Sequence, residues 1–232
     1  MSELIPKHIA IIPDGNRRWA SAQGKAAIDG HAAGSDVLRA IMPHAADQGV
    51  EYISIWGMSL DNFQKRDIAE VTGLLSLFRK EFKDLITSDD IHSRNVKISV
   101  LGRWREKFPF PVKVNIEKAM EATKDYSKHY LNFFLAYNGV DEMLQAIKEL
   151  VAEGSQDISA TTVKQHLFTK NMPPVDFIIR TGGEPHLSAG FMMWDVTDSQ
   201  LWFTQKLWPE FTTADFDEAL AEYASRQRRK GA

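Results

Sequence analysis

Two short apolar runs near opposite ends of the 232-residue chain stop abruptly at polar residues. The first is His8-Ile-Ala-Ile-Ile-Pro-Asp-Gly-Asn-Arg-Arg-Trp19, and the second is Asp176-Phe-Ile-Ile-Arg-Thr-Gly-Gly-Glu184. An apolar run without alternating polar positions is the pattern of a parallel strand buried on both faces. Ligands of such sheets bind beyond the C-terminal strand ends, so a carboxylate, an arginine and glycines placed there mark out a site. Similar runs recur at Tyr52–Met58, Val96–Leu101, Leu131–Tyr137 and Gln200–Phe203.

Helix-length stretches separate most of these runs. Residues His31–Gln48 carry Val37, Ile41 and Ala45 on one stripe and end at Gly49. Residues Ile68–Leu85 place Val71, Leu74, Phe78, Phe82 and Leu85 at three-to-four spacing, and Val140–Val151 repeats it through Met143, Ile147 and Leu150. Two more helices are predicted, Thr161–Leu167 after Ser159 and Asp215–Arg229 after Thr212 or Thr213. Phe108-Pro-Phe-Pro111 reads as a turn entering a helix. The alternation predicts one α/β domain over 1–232, with a six-stranded, mostly parallel sheet flanked by helices.

Composition narrows the function. A formal net charge of −3 supplies no global field for nucleic acid. With no cysteine, disulfides and thiolate chemistry are excluded, which fits a reducing compartment. No apolar run approaches the ~20 residues that span a bilayer, and no charged-then-apolar leader opens the chain. The expectation is a soluble, cytoplasmic enzyme.

Polar groups end four strands, at Asp14-Gly-Asn16, Ser59-Leu-Asp-Asn62, Asn138-Gly139 and Arg180-Thr-Gly-Gly-Glu184, and a parallel sheet brings these tips to one edge. Asp14 can hold Mg²⁺, which takes one or two protein carboxylates and completes its shell with water and phosphate oxygens; it can equally cap a helix. Asn16, Arg17 and Arg18 beside it favour an anion pocket, although Arg17 also suits a solvated surface. Gly30-His-Ala-Ala-Gly34 would let a ligand approach closely, with His31 on the pocket rim. Ser59, Asn62 and Arg66 offer further donors. Arg180 gives a fork for phosphate and the paired glycines expose backbone N–H groups, with His186 and Ser188 just beyond. The stripe Val71–Leu85 is either core or the wall of a hydrocarbon tunnel, and Trp19, Trp56 and Trp194 are equally ambiguous. Arg226–Lys230 reads as a solvated helix end, with a weak phosphate or anionic-membrane contact as the alternative.

These motifs resemble the cis-prenyltransferases along nearly the whole chain. The matching segments are His8–Trp19, Gly30–Gly34, Ser59-Leu-Asp-Asn-Phe63, Ile179–Glu184, and Leu201-Trp-Phe-Thr204 running into Leu207-Trp-Pro-Glu-Phe211, with Ser225–Arg229 similar to the family's C-terminal segment. The resemblance implies a homodimer, a hydrophobic tunnel between sheet and helices, and condensation of an allylic diphosphate, such as farnesyl diphosphate, with isopentenyl diphosphate. The product would be a cis-polyprenyl diphosphate, of the kind that carries cell-envelope glycans, and membrane contact would be peripheral, for product release. Asp14 would hold Mg²⁺. Gly15, Asn16 and Arg18 would bind the allylic diphosphate. Arg17, Trp19, Ser59, Phe63 and Arg66 would complete that side. His31 and Asn62 would assist at the reacting centre, and Arg180, His186 and Ser188 would grip the second diphosphate.

Three departures from the family pattern bear on the substrates. Gln200 stands where the family has a metal-binding glutamate, and Asp198, two residues earlier, is the candidate replacement. Pro185-His-Leu-Ser-Ala-Gly190 is one residue longer than the family's segment and lacks its arginine, and Ala27 replaces an arginine before the Gly-His motif. They leave room for a short or irregular (lavandulyl-type) coupling, or for a non-catalytic partner subunit.

Overall fold

The computed structural model describes residues 4–226. All six predicted strands form: β1 (His8–Ile12), β2 (Tyr52–Ser59), β3 (Val96–Leu101), β4 (His129–Tyr137), β5 (Phe177–Arg180) and β6 (Gln200–Phe203). They make one sheet in the order β3-β4-β2-β1-β5-β6 with every neighbouring pair parallel, where the sequence predicted mostly parallel pairing. From β1 the chain winds outward through β2, then returns to the other side of β1 as β5. Strand order therefore reverses beside β1, which puts the tips of β1 and β5 side by side at the binding edge of an open α/β sheet.

Helices α1 (Asn16–Ala22), α2 (Ala27–Asp47), α3 (Leu60–Lys65), α4 (Ile68–Leu85), α5 (Asp89–Ser93), α6 (Trp104–Lys107), α7 (Phe110–Ala122), α8 (Gly139–Ala152), α9 (Ala160–His166) and α10 (Thr213–Ser225) cover the two faces. Caps explain several of their starts. Asp67 accepts from the N–H of Ala69, Asn138 from Val140 and Asp141, Ser159 from Thr162, and Thr212 from Asp215. On one face Ile9, Ile11, Ile53, Ile55, Leu131 and Leu135 meet α2, α4 and α7. On the other, Ala10, Ile12, Phe134 and Ile178 meet Phe191 and Met192.

Two expectations shift. The buried face of α8 is Gly139, Glu142, Ala146 and Leu150 rather than a stripe through Ile147, which is 48% exposed. Glu142 turns inward because Tyr137 Oη and the Thr169 N–H bond its carboxylate. Asn138-Gly139 does not join the site: Asn138 is occupied as the α8 cap. Arg226 ends α10 and donates to the Leu201 carbonyl at 2.8 Å. The remainder of the basic run, Gln227–Lys230, lies outside the described residues.

Candidate active site

Strand β1 delivers Asp14 to the sheet edge two residues past its last paired position. Its carboxylate meets Arg180, at the tip of β5, with Nη2 donating to Oδ2 at 2.9 Å, and Arg18 lies 3.4 Å from Oδ1. The Asp14 carbonyl accepts from Thr181 Oγ1 at 2.8 Å and from the Trp208 N–H at 2.9 Å. Gly15 makes the turn into α1 possible. It has φ +109°, and a Cβ there would lie 2.8 Å from Leu207 Cδ2. Asp14 is thus a partner of arginines and not the α1 cap.

Arg180 is almost wholly buried, and Asp14 compensates its charge. Its Nη1 donates to Ser188 Oγ at 3.0 Å and to the His186 carbonyl. The predicted pair Arg180 and Ser188 is therefore assembled. His186 contributes only its carbonyl; its ring points outward, 3.7 Å from Glu184. Backbone φ is left-handed at Ala189 in this loop and at Met192 just after it.

A second group comes from α1, α2, the residue after α3, and α4. His31 Nε2, Arg66 Nη1 and Arg17 Nε lie 3.8, 3.0 and 3.7 Å from Glu70 Oε1. Burial, reinforced by the positive charge of Arg66, lowers the His31 pKa to about 4, so the ring is neutral near pH 7. Ser59 Oγ accepts from the Asn62 N–H at 2.8 Å and caps α3, a contact that uses its lone pair and leaves its O–H free to donate. Phe63 stacks against Phe108, 6.0 Å between ring centroids, and belongs to the core. Trp19 sits under the Lys25 ammonium, 4.8 Å from its ring centroid, outside the cavity lining.

Gly30 and Gly34 serve helix packing, and Gly34 also lines the apolar cavity beside α2. A Cβ on Gly30 would lie 2.0 Å from the Asn16 carbonyl oxygen, and one on Gly34 would lie 2.5 Å from Asn16 Oδ1 and 2.7 Å from Trp208 Cδ1. The Trp208 indole N–H donates to the Gly34 carbonyl at 2.8 Å. This close contact of α2 with α1 fixes Asn16 and His31 at the site.

These groups enclose a polar chamber of about 800 Å³, lined by Asp14, Asn16, Arg17, Arg18, His31, Asn62, Arg66 and Ser188. An apolar chamber of about 360 Å³ runs between the sheet and helices α2 and α4, lined by Leu38, Met42, Ile55, Leu74, Phe78, Phe82, Leu85 and Leu135. The chambers share Pro13, Asn16, His31, Trp56 and Gly57. The α4 stripe therefore supplies both core and wall. Sequence reasoning missed Glu70, Lys25 and the lining role of Trp56; the only hint of Glu70 was its position four residues after Arg66.

For a metal, Asp14 offers hard carboxylate oxygens. Four buried polar atoms nearby, Asn16 Oδ1, His31 Nε2, Glu70 Oε1 and Arg180 Nε, have no hydrogen-bond partner among the described residues, so the site is more polar than those residues satisfy. This set fits Mg²⁺ held by one carboxylate together with diphosphate oxygens. Among the described residues no three His, Asp or Glu side chains converge as a closed metal cage. Gln200 and Asp198 do not complete the site within one chain. Gln200 opens β6 opposite Phe177, itself opposite Ile9, so it lies at the other sheet edge, roughly 15 Å from Asp14. Asp198 is exposed in the turn before β6, so strand alternation does not place it beside Gln200.

The family model for putative undecaprenyl diphosphate synthases matches residues 12–231. A tritrans,polycis-undecaprenyl-diphosphate synthase (geranylgeranyl-diphosphate specific) of Pyrococcus furiosus is 38% identical over 98% of this chain and 88% of its own. A ditrans,polycis-undecaprenyl-diphosphate synthase ((2E,6E)-farnesyl-diphosphate specific) of Coxiella burnetii is 36% identical, covering 98% and 97%. The crystal structure of lavandulyl diphosphate synthase from Lavandula x intermedia, in complex with dimethylallyl diphosphate, superposes with a TM-score of 0.87 at 31% identity, covering 97% of both chains.

Proposed function

The chain belongs to the undecaprenyl diphosphate synthase family and is a prenyl transferase, and we propose that it condenses isopentenyl diphosphate with an allylic diphosphate into a (Z)-polyprenyl diphosphate, of undecaprenyl type. The observation that carries this reading is the junction of a polar, arginine-lined chamber with an apolar one. A diphosphate ester with a hydrocarbon tail has the same two halves.

In this reading Asp14 holds Mg²⁺. The ion supplies Lewis-acid stabilisation of the negative charge that grows on the departing diphosphate. Asn16, Arg17 and Arg18 orient the allylic diphosphate, and their donors meet the same developing charge. Arg180, with Ser188, positions the second diphosphate. Neutral His31 can accept a hydrogen bond without adding a cation beside the allylic centre, and Asn62 orients the groups from which the proton leaves. Glu70 keeps Arg17, Arg66 and His31 in register. The apolar walls exclude water from the reactive carbocation. A homodimer would cover the exposed stripe of α8, where Val140, Leu144, Ile147 and Val151 are 55, 50, 48 and 73% exposed. A cytoplasmic location, with peripheral membrane contact for product release, accords with the absence of any described helix long and apolar enough to cross a membrane.

Incubation with Mg²⁺, farnesyl or geranylgeranyl diphosphate and radiolabelled isopentenyl diphosphate tests the reading. A ladder of labelled products ending in a long chain supports it. The likeness to lavandulyl diphosphate synthase and the altered 185–190 loop favour a second reading, irregular coupling of two dimethylallyl diphosphates. That coupling releases diphosphate from dimethylallyl diphosphate alone and incorporates no label.

A further inference from the structure

One cation of the polar chamber stands apart from the rest. Arg18 and Arg180 lie 3.4 and 2.9 Å from Asp14, and Arg66 and Arg17 lie 3.0 and 3.7 Å from Glu70. Lys25 lines the chamber too, with Arg18, Ser21 and Ala27. Among the described residues it makes no ion pair, and its ammonium rests 4.8 Å from the Trp19 ring centroid.

The Lys25 backbone is anchored. Helix α1 closes through Gly24, at φ +65°, with the Lys25 N–H donating to the Ala20 carbonyl at 2.9 Å and the Gly24 N–H to that of Ser21 at 3.1 Å. This pair of bonds is a Schellman closure, which fixes Lys25 Cα against the end of the helix. From there five side-chain bonds of about 1.5 Å give the ammonium roughly 6 Å of reach. Ala27 adds only a methyl group to the same wall.

We infer that Lys25 is a counter-ion lever, whose ammonium exchanges the Trp19 ring for the diphosphate of the allylic substrate. The inference rests on the reading of this chamber as the diphosphate site. Lys25 shares the α1 wall with Arg17 and Arg18, the side assigned to that substrate. An ammonium over an exposed indole is weakly held, whereas a charge-assisted bond to a phosphate oxygen is strong. Arg17, Arg18 and Arg66 share their charge with carboxylates already present. Lys25 breaks no ion pair when it turns to the ligand, so its charge acts in full. Trp19, outside the lining, gains a part as the resting place.

Inorganic pyrophosphate is the probe, titrated by calorimetry and by tryptophan fluorescence, so that binding is read without turnover. In the wild type it should change the part of the emission that Trp19→Phe removes. Lys25→Met, which keeps the stem and removes the charge, should weaken binding about five- to tenfold and abolish that change. Lys25→Arg should bind within about twofold of wild type. Lys113→Met, on α7 and outside the lining, should leave binding unchanged. In product assays Lys25→Met should lower kcat/KM for the allylic diphosphate by the same factor and leave the KM of isopentenyl diphosphate unchanged. Wild-type affinity in Lys25→Met would overturn the inference. So would a Trp19 response that survives in it, or an equal loss in Lys113→Met, which would mark a general field effect. Protein that binds pyrophosphate through Lys25 but makes no prenyl product sinks the transfer reading and keeps the lever. Protein that makes product equally well with Lys25→Met sinks only the lever, and a wild type that binds no pyrophosphate sinks both.

Discussion

The two joined chambers are built on different principles. In the polar chamber Asp14 and Arg180, 166 residues apart in sequence, are held face to face by the neighbouring tips of β1 and β5. Its charged side chains Asp14, Arg18, Arg66 and Arg180 have named ionic partners, and a single substitution there leaves a specific charge unpaired. The apolar chamber is made of Leu, Phe and Met side chains that serve core and wall at once, so a substitution there changes volume and stability together. The difference teaches that head-group chemistry depends on residue identity at a few points, while tail accommodation depends on packing along two helices.

Breaking the polar chamber should have the largest effect. Asp14→Ala should lower turnover by ~10² or more in steady-state assays, if metal-assisted departure of diphosphate limits the rate. It should also cost up to about 3 kcal/mol of stability, because Arg180 stays buried without its partner; the value is at the low end for a broken buried pair since Asp14 is one-third exposed. Near-normal turnover would remove Asp14 from the mechanism.

The apolar chamber should respond in the opposite sense. Phe82→Ala should lower unfolding free energy by about 3–5 kcal/mol in denaturant titrations, yet leave diphosphate affinity near wild type. A large loss of diphosphate affinity would show that the chambers are not separable.

His31 links them and gives a pH signature. Its folded pKa of about 4 lies below the ordinary 6.5, so the unfolded chain binds more protons between those values. Stability should therefore fall as pH drops from 6.5 towards 4, by no more than about 3 kcal/mol. His31→Asn should flatten that slope in thermal melts; an unchanged slope would assign it to other groups. The smallest effect is expected at Asp198, exposed at the far sheet edge. Asp198→Asn should leave the Mg²⁺ titration of activity unchanged, and a weakened Mg²⁺ response would return Asp198 to the metal site.

The same contrast governs what could be read before the structure. Unbroken apolar runs ending in Asp14 and Arg180 announced the sheet and its binding edge, because buried parallel strands tolerate little else. The α4 stripe announced a helix but not whether it walled a cavity, since both roles need the same spacing. Ser59, Gly30 and Gly34 were legible as special residues, but their structural roles were not. That Ser59 caps α3 and that the glycines admit Asn16 and Trp208 shows only once the neighbouring segments are in place. Glu70 was hidden because charged helix positions ordinarily face solvent, and only the packing of α4 against its neighbours turns it towards Arg17, His31 and Arg66. Ile147 was placed on the wrong face because the inward turn of Glu142 depends on Tyr137 and Thr169, which no periodicity encodes.

The most direct measurement is NMR of the product made from ¹³C-labelled isopentenyl diphosphate, an allylic diphosphate and Mg²⁺. Cis-condensation predicts label in every added repeat, each carrying a Z double bond. A product without label, or with a branched junction between two dimethylallyl units, would contradict it.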